Sequence, residues 1–451
     1  MTAPHAPANP PKSTARPAAA ATAAPAGATR VRWLIVWLAF GGLTINYLDR
    51  ANLGVALPFI GEDITLTKFQ QGMILAAFFW SYDFCQLVAG WYVDRVGPRR
   101  TFTTASIWWS VFTMLTAAAQ NFASLFGARL ALGAGESPAP STSAKVVSRW
   151  FPRHERGLAT AIWDSGSRVG GVLALPLVTA LVALAGWRAA FVVTGAVGLV
   201  WALAWWRLYR DPEDHPKANE AERAYIRAGG ARSADADSDA ASKLRWRDLF
   251  GYRTVRGMML GFFCLNMCIY FFITFFPTYL VEERGFTLLK LGVFGALPGI
   301  CAVFAAYAGG WFADRAIKRG ADVTRVRKTV IISGMLGGSV IGLAVLVPAA
   351  WMALALLSVA YSSLAFAASG IWSLPADVAP SDRHVASVGG IQNFASNLAG
   401  IGSPLLVGYL VDRTGSFVIP LLVVSAFAVL GALSYAFVVQ RAEPLPVRPR
   451  A

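Results

Sequence analysis

Seven charged side chains lie inside long apolar stretches in the first half of the sequence: Asp49, Arg50, Asp83, Arg129, Glu136, Asp164 and Arg168. Asn46, Asp49 and Arg50 are three and four residues apart, which gathers them on one helix face, and Arg129 and Glu136, seven apart, share a face two turns long. A planar guanidinium such as that of Arg50 suits bidentate capture of a carboxylate. A carboxylic acid held in a dry cavity favours its protonated form, which would make Asp49 and Glu136 proton carriers. On residues alone a structural reading stands beside this one: Arg50–Asp49 and Arg129–Glu136 as closed ion pairs that only hold helices together. Asp164 and Arg168 stand i,i+4 in the favourable acid-first order, so mutual neutralisation is the simple account and a contact from Arg168 to a second carboxylate of a bound diacid the sharper one. Asp83 reads either as a third protonatable site or as the partner of a buried donor. The second half offers neutral polar groups instead, among them Asn266, Tyr270, Ser369, Trp372, Gln392, Asn393 and Asn397.

The elements that must position these groups follow from composition. Of 451 residues, 56% are apolar or aromatic and 14% charged, against about 45–50% and about 25% in soluble domains. A charge at mid-membrane costs about 2.5–3.5 kcal/mol on insertion scales, so seven of them in apolar runs call for a function. Twelve spans are predicted, near 31–58, 68–93, 102–119, 122–147, 158–185 and 188–208, then 255–281, 289–313, 328–347, 350–375, 385–411 and 416–439. Backbone groups in lipid must bond internally, and runs this long without alternation are helices. The expected fold is therefore an all-α integral membrane protein of twelve transmembrane helices in two six-helix repeats. Its parts are a disordered tail (1–30), a first bundle (31–208), a linker loop (209–253), a second bundle (254–440) and a short tail (441–451). Lys and Arg concentrate in one set of loops, including Arg95, Arg99, Arg100, Arg149, Arg153, Arg156 and the linker, which puts both termini in the cytoplasm of a multi-pass protein, expected in a bacterial cytoplasmic (inner) membrane. The net charge of +15 then reflects topology, and no nucleic-acid partner is expected. Cys85, Cys264, Cys268 and Cys301 lack disulfide or metal-ligand spacing, so no metal site is expected.

The halves echo each other. Gly90-Trp91-Tyr92-Val93-Asp94-Arg95 recurs 220 residues on as Gly310-Trp311-Phe312-Ala313-Asp314-Arg315, and Pro152 and Pro176 recur 228 residues on as Pro380 and Pro404. Parallel repeats joined by a cytoplasmic loop point to two bundles rocking about a central site. The motif from Gly90 through Asp94-Arg95 to Gly97-Pro98-Arg99-Arg100 resembles the loop 2–3 signature of the major facilitator superfamily. In that reading Gly90 permits close helix approach, and Asp94 and Arg95, with Asp314 and Arg315 in the second half, serve gating; Arg99 and Arg100 read as topogenic.

A narrower resemblance runs from about residue 31 to the end. It is carried by Asn46-Tyr47-Leu48-Asp49-Arg50-Ala51-Asn52, Arg129 to Gly133-Ala134-Gly135-Glu136, Trp150-Phe151-Pro152 with Glu155-Arg156-Gly157, and Asn393-Phe394 with Asn397-Leu398 and Gly400. Together these resemble the anion:cation symporter family, which includes proton-coupled sugar-acid transporters and the vesicular glutamate and sialic-acid carriers. The resemblance implies a small organic anion as substrate, protons as partner, no cofactor beyond the proton gradient, and alternating access. It favours Arg50 as the carboxylate clamp, with Tyr47, Tyr82, Gln86, Ser167, Ser369, Trp372, Asn393 and Asn397 as further substrate contacts. Asp49 and Glu136 become proton carriers and Arg129 the modulator of Glu136; a lipid-embedded monomer is expected. Four acids against three arginines leave one surplus negative charge in the spans, which an anion worsens and protons relieve.

An enzyme is disfavoured. The sequence has no Gly-Lys pair for a phosphate-binding loop, no Gly-x-Ser-x-Gly elbow, and Leu158 where a zinc-protease helix opened by His154-Glu155 would need its second histidine. A channel would need symmetric pore rings, which a two-bundle repeat does not suggest. The nearest competitor is a polyspecific drug or metabolite exporter of the same fold, favoured by aromatic runs such as Phe271-Phe272-Ile273-Thr274 and opposed by the charges around Arg50.

Overall fold

A computed structural model describes residues 27–152, 155–229, 246–380 and 385–445. The first bundle comprises α1 (Val31–Asp63), α2 (Lys68–Val96), α3 (Pro98–Thr116), α4 (Phe122–Glu136), α5 (Ala139–Trp150) and α6 (Arg156–Leu208). Helix α4 runs into α5 through Ser137 and Pro138 to make one span, whereas α6 holds two, broken at Gly186 where φ is +80°, a conformation glycine takes without steric cost. After α7 (Glu220–Ala228), the second bundle contains α8 (Arg253–Thr274) extended by α9 (Phe276–Thr278) and a π-turn at Tyr279–Glu283, then α10 (Leu288–Phe294) with α11 (Leu297–Lys318). It continues with α12 (Val323–Gly338) and its 3₁₀ extension to Val345, α13 (Ala350–Val378), α14 (Val385–Thr414) and α15 (Val418–Leu433). These make twelve spans among the described residues. Eight helices are long and apolar enough to cross a membrane, one of them being the double span of α6; of the other three spans, α2 and α3 carry polar and charged residues that dilute their hydropathy, and α4–α5 is divided into helices of 15 and 12 residues.

Helix starts are set by local chemistry. Thr67 and Gln70 form a reciprocal capping box at α2, Asn121 and Ser124 another at α4, and Asp322 caps α12. Gly97 (φ +85°) closes α2 and Pro98 opens α3 without a turn to spare. Pro176 and Pro404, matched by the repeat, both sit inside long helices, α6 and α14.

The expected linker loop is in part ordered. Helix α7 packs beneath the first bundle, and its Glu222, fully buried, accepts from Thr29 Oγ1 (2.6 Å), the backbone N–H groups of Val31 and Arg32, and Arg32 Nη1 (3.0 Å). It thereby supplies the cap that Arg30 lacks at the start of α1. Arg32 also pairs with Glu155 at 2.8 Å, to which Tyr225 of α7 donates at 3.0 Å. So the Glu155-Arg156 motif ties α1, α6 and α7 together. Of the two expected tails, residues 1–26 and 446–451 lie outside the described residues, as do 230–245 of the linker; Gly27–Arg30 pack on α7.

The bundles meet through α2 on α14 and α6 on α10–α11. Their firmest contacts lie at the membrane face away from the termini. There Asp412 of α14 accepts from the backbone N–H groups of Lys68 and Phe69, both at 2.7 Å, and so caps α2 from the other bundle. Lys68 Nζ pairs with Glu282 at 2.5 Å. Gly72 and Gly408 let the backbones touch, since a side chain at either would collide with the carbonyl of Pro404 or Lys68. At the opposite face Gly90 and Gly310 meet nothing within 4 Å, so the close approach expected at Gly90 is not made in this conformation. Among the described residues the inter-bundle hydrogen bonds and glycine contacts gather at the far face, the closed face, while Gly90 and Gly310 stand clear at the face of the termini, the open one.

Asp412→Ala should leave two α2 N–H groups without their acceptor at the seam and weaken closure by about 1–3 kcal/mol. The expected outcome is faster labelling of Gln71→Cys by a membrane-impermeant maleimide in the Asp412→Ala background; equal labelling rates would show that the cap does not hold the seam.

Candidate functional site

Helix α1 presents Asp49 and Arg50 to α2 and α4. Arg50 donates to a single oxygen of Glu136, Oε2, from Nε (3.3 Å) and Nη2 (3.2 Å). Its guanidinium carbon lies 4.5 Å from the ring centres of Tyr47 and Phe78 and 4.7 Å from that of Tyr82, which holds the charge by its attraction to aromatic faces. Tyr82 in turn stacks on Phe78 (5.3 Å, 24°). Arg129, two turns before Glu136, does not close on it. Its Nη2 donates to the backbone carbonyl of Arg50 at 2.9 Å. Both structural pairs open on sequence grounds, Arg50–Asp49 and Arg129–Glu136, are thus replaced by one cross-helix pair, Arg50–Glu136.

The cluster is buried and incompletely paired. Asp49 and Glu136 have no exposed surface, and Arg50 is only 9% exposed. Both oxygens of Asp49, Oε1 of Glu136, and Nε and Nη1 of Arg129 find no hydrogen-bond partner among the described residues. Buried charges left this way are expensive. With Asp83 included, three acids face two guanidiniums, so the surplus negative charge expected from the sequence sits within one packed group.

The remaining predicted residues divide. Tyr47 and Tyr82 belong to the cluster. Gln86 and Asn397 meet across the bundles, Asn397 Nδ2 donating to Gln86 Oε1 at 3.4 Å. Asn393 is half-buried one turn before Asn397 on α14. Trp372 is 56% exposed, its ring edge-to-face with Phe262 at 5.2 Å. Ser167 donates to the carbonyl of Asp164 at 2.6 Å. Ser369 likewise donates to a carbonyl of its own helix, Phe366 O at 2.7 Å, and its hydroxyl lies against Gly309 of α11. Arg168 pairs with Asp164 at 3.1 Å, and with Ser165 it borders an apolar cleft against Ile300, Phe304 and Tyr307 of α11.

The sequence profile of the Major Facilitator Superfamily matches residues 39–404. The chain belongs to this superfamily. A D-galactonate transporter of Escherichia coli is 37% identical over 417 residues, covering 91% of this chain and 96% of the relative. A probable galactarate/D-glucarate transporter of Bacillus subtilis is 35% identical over 431 residues (93% and 94%), and a hexuronate transporter of the same species 32% identical over 420 residues (92% and 96%). Among solved structures, a bacterial homolog of the human lysosomal transporter Spinster, inward-facing and occupied, superposes with a TM-score of 0.73 at 18% identity, covering 91% of this chain and 97% of that one. That likeness establishes the fold.

As a major facilitator, the chain carries its repeat motif in side-chain geometry as well as in sequence. Arg95 lies over Trp91 (5.6 Å) and Arg315 over Trp311 (5.3 Å), both at the open face, where Asp314 and Arg315 are exposed. The side chain of Asp94 lies outside the described residues. A third copy of the pattern, Gly408-Tyr409-Leu410-Val411-Asp412-Arg413, makes the same stack, Arg413 over Tyr409 at 5.5 Å, at the closed face. Its signal was present in the sequence as a third Gly-x-x-x-Asp-Arg. Sequence reasoning also passed over Phe78 and left Tyr270 out of the site. Phe78 is the platform under both arginines, and Tyr270 of α8, edge-to-face with Phe79 at 4.6 Å, brings the second bundle to Arg50.

Gly133 lets α4 lie directly on the Phe78 carbonyl and the Ser81 hydroxyl of α2. Gly133→Ala should push α2 away and unseat Phe78 from Arg50, destabilising the fold by about 1–3 kcal/mol. A lowered Tm and a greater than tenfold loss of uptake are expected; wild-type values for both would show that the contact is not limiting.

Proposed function

We propose that this transporter is a proton-coupled symporter that imports a small sugar acid, of the aldonate, hexuronate or aldarate class, across the bacterial cytoplasmic membrane by alternating access. The observation that carries the reading is the half-satisfied Arg50–Glu136 pair inside its aromatic box. Relatives at 32–37% identity along nearly the whole chain are named as galactonate, galactarate/glucarate and hexuronate transporters, and a carboxylate is what their cargoes share.

With Glu136 ionised, one of its oxygens occupies Arg50. A proton on Glu136 weakens that pair and frees the guanidinium fork for a cargo carboxylate. Asp49, buried beside Thr194, Arg129 and Glu136, takes or yields a proton so that the loaded cluster crosses close to neutral. Tyr47, Tyr82, Gln86, Ser167, Trp372, Asn393 and Asn397 are the proposed contacts for the cargo's hydroxyls and carbon chain. Arg129, held on the Arg50 carbonyl, tunes Glu136 from behind. The gating pairs around Gly90, Asp94, Arg95, Asp314 and Arg315 close the cytoplasmic face when the bundles rock. In this assignment, made from the Lys and Arg bias of the loops, the open face is cytoplasmic and both termini lie there. A drug exporter gains nothing from a buried, aromatic-boxed arginine, whereas a carboxylate carrier requires it. The working unit is the monomer, each chain holding one complete site.

In proteoliposomes, Asp49→Asn and Glu136→Gln should abolish accumulation driven by an imposed pH gradient while retaining exchange of labelled for unlabelled D-galactonate. Arg50→Lys should lose both by at least about tenfold, because an ammonium cannot present the bidentate fork. Gradient-driven accumulation at the wild-type level in both acid variants would overturn the coupling scheme. Normal uptake by Arg50→Lys would overturn the clamp.

A further inference from the structure

Asp83 has no part in the scheme above, yet it is placed as a member of the site. It follows Tyr82 on α2, is 8% exposed, and neither of its oxygens has a hydrogen-bond partner among the described residues. Three other spans face it, with Arg50 from α1, Tyr270 from α8 and Asn397 from α14. Where this protein uses a buried carboxylate structurally it saturates it: Glu222 takes four donors. Asp83 is also buried, closes no such set of hydrogen bonds, and has Asn397 of the other bundle as its nearest donor; an acid placed this way, with neighbours drawn from both bundles, is built to meet something that enters between them.

The charges around it narrow what that is. Arg168, the other cation in the middle of the spans, is already neutralised by Asp164 at 3.1 Å, and Arg129 faces the Arg50 carbonyl. Among the described residues, Arg50 is the cation that faces groups of both bundles at the cluster, and in the proposed function it receives the cargo's carboxylate. A cargo anchored there presents its hydroxyl-bearing carbons to Asp83, Gln86 and Asn397. Hydroxyls can donate to Asp83 Oδ1 and Oδ2. A second carboxylate at that end would meet the acid of Asp83, with Arg129 buried behind Arg50 and Arg168 paired with Asp164.

We propose that Asp83 is a specificity-determining residue, accepting hydrogen bonds from cargo hydroxyls and excluding a second carboxylate, so that the carrier takes polyhydroxy monocarboxylates in preference to the corresponding diacids. The inference rests on the sugar-acid reading of the site and sharpens it.

The test is proton-driven uptake of D-galactonate and of galactarate by the full chain in proteoliposomes. Wild type should favour galactonate at least tenfold. Asp83→Asn, which keeps the shape and removes the charge, should raise the galactarate-to-galactonate ratio at least tenfold, and Asp83→Glu should keep the wild-type preference. An unchanged ratio in Asp83→Asn, or a wild type that favours the diacid, overturns the inference. Should Asp83→Asn fold poorly, the thermal shifts of wild type with each compound decide: a larger shift with galactonate supports the assignment and a larger shift with galactarate overturns it. Uptake of neither compound overturns the sugar-acid reading and this inference with it, whereas equal uptake of both overturns this inference alone.

Discussion

The arrangement of the first bundle turns on the cost of burying an excess of negative charge. Asp49, Asp83 and Glu136 are buried together with Arg50 and Arg129, and the count does not balance. Such a cluster is stable only if a proton is added, a carboxylate is displaced, or the bundles move to admit solvent. Each of those is a step that a coupled carrier needs. The geometry shows how the imbalance is kept from collapsing into tight pairs. Arg50 is shared between one oxygen of Glu136 and three aromatic faces, which attract it without neutralising it, and Arg129 is diverted to a backbone carbonyl. A bidentate Arg50–Glu136 pair would be the stronger bond and the poorer device.

The aromatic box also ties the chemistry to the seam between the bundles. Phe78 and Phe79 are neighbours on α2 and edge-to-face with each other at 5.1 Å. Phe78 supports Arg50, while Phe79 meets Tyr270 of α8 and packs against Gly400 of α14. A change at Arg50 is therefore felt one residue away by a side chain lodged in the other bundle. The far-face seam adds a second tie, since the N-terminus of that same helix α2 is capped by Asp412. Helix α2 thus reports on the site at its middle and on the closed gate at its start.

Much of this was legible in the sequence because the membrane makes polar residues conspicuous. Twelve spans, the half-chain repeat and the identity of the cluster residues follow from apolar runs and the charges that interrupt them. What was not legible was partnership. Asp49 and Arg50 are adjacent on one helix, and Arg129 and Glu136 share another, so spacing along the chain suggested pairs within helices; the observed pair joins α1 to α4 and depends on how two helices rotate against each other. Ser369 was placed with Trp372 by a three-residue spacing, and its hydroxyl turns back to the Phe366 carbonyl of its own helix where Gly309 of α11 leaves room for it. Phe78 carried no signal at all, being one apolar residue among many until Arg50 is laid on it. The ordered α7 hid in a polar linker because Glu222 looks like an exposed charge unless one knows that α1 begins without a cap.

The same Asp-Arg geometry recurs at both faces of the membrane. The Asp-Arg pair closing each Gly-x-x-x-Asp-Arg copy stands at a helix end, where an acid can cap a neighbouring N-terminus and an arginine can lie on the aromatic residue four positions before it. At the closed face, Asp412 performs the capping and Arg413 the stacking. At the open face, Arg95 and Arg315 already stack on Trp91 and Trp311, while Gly90 and Gly310 stand clear of any neighbour. The arginines are thus pre-positioned in the open state, and closing that face requires only that helix N-termini and small-residue surfaces come within reach. In the proposed cycle, rocking exchanges the caps at one face for caps at the other, and the choice between the two states falls to the charge in the cluster.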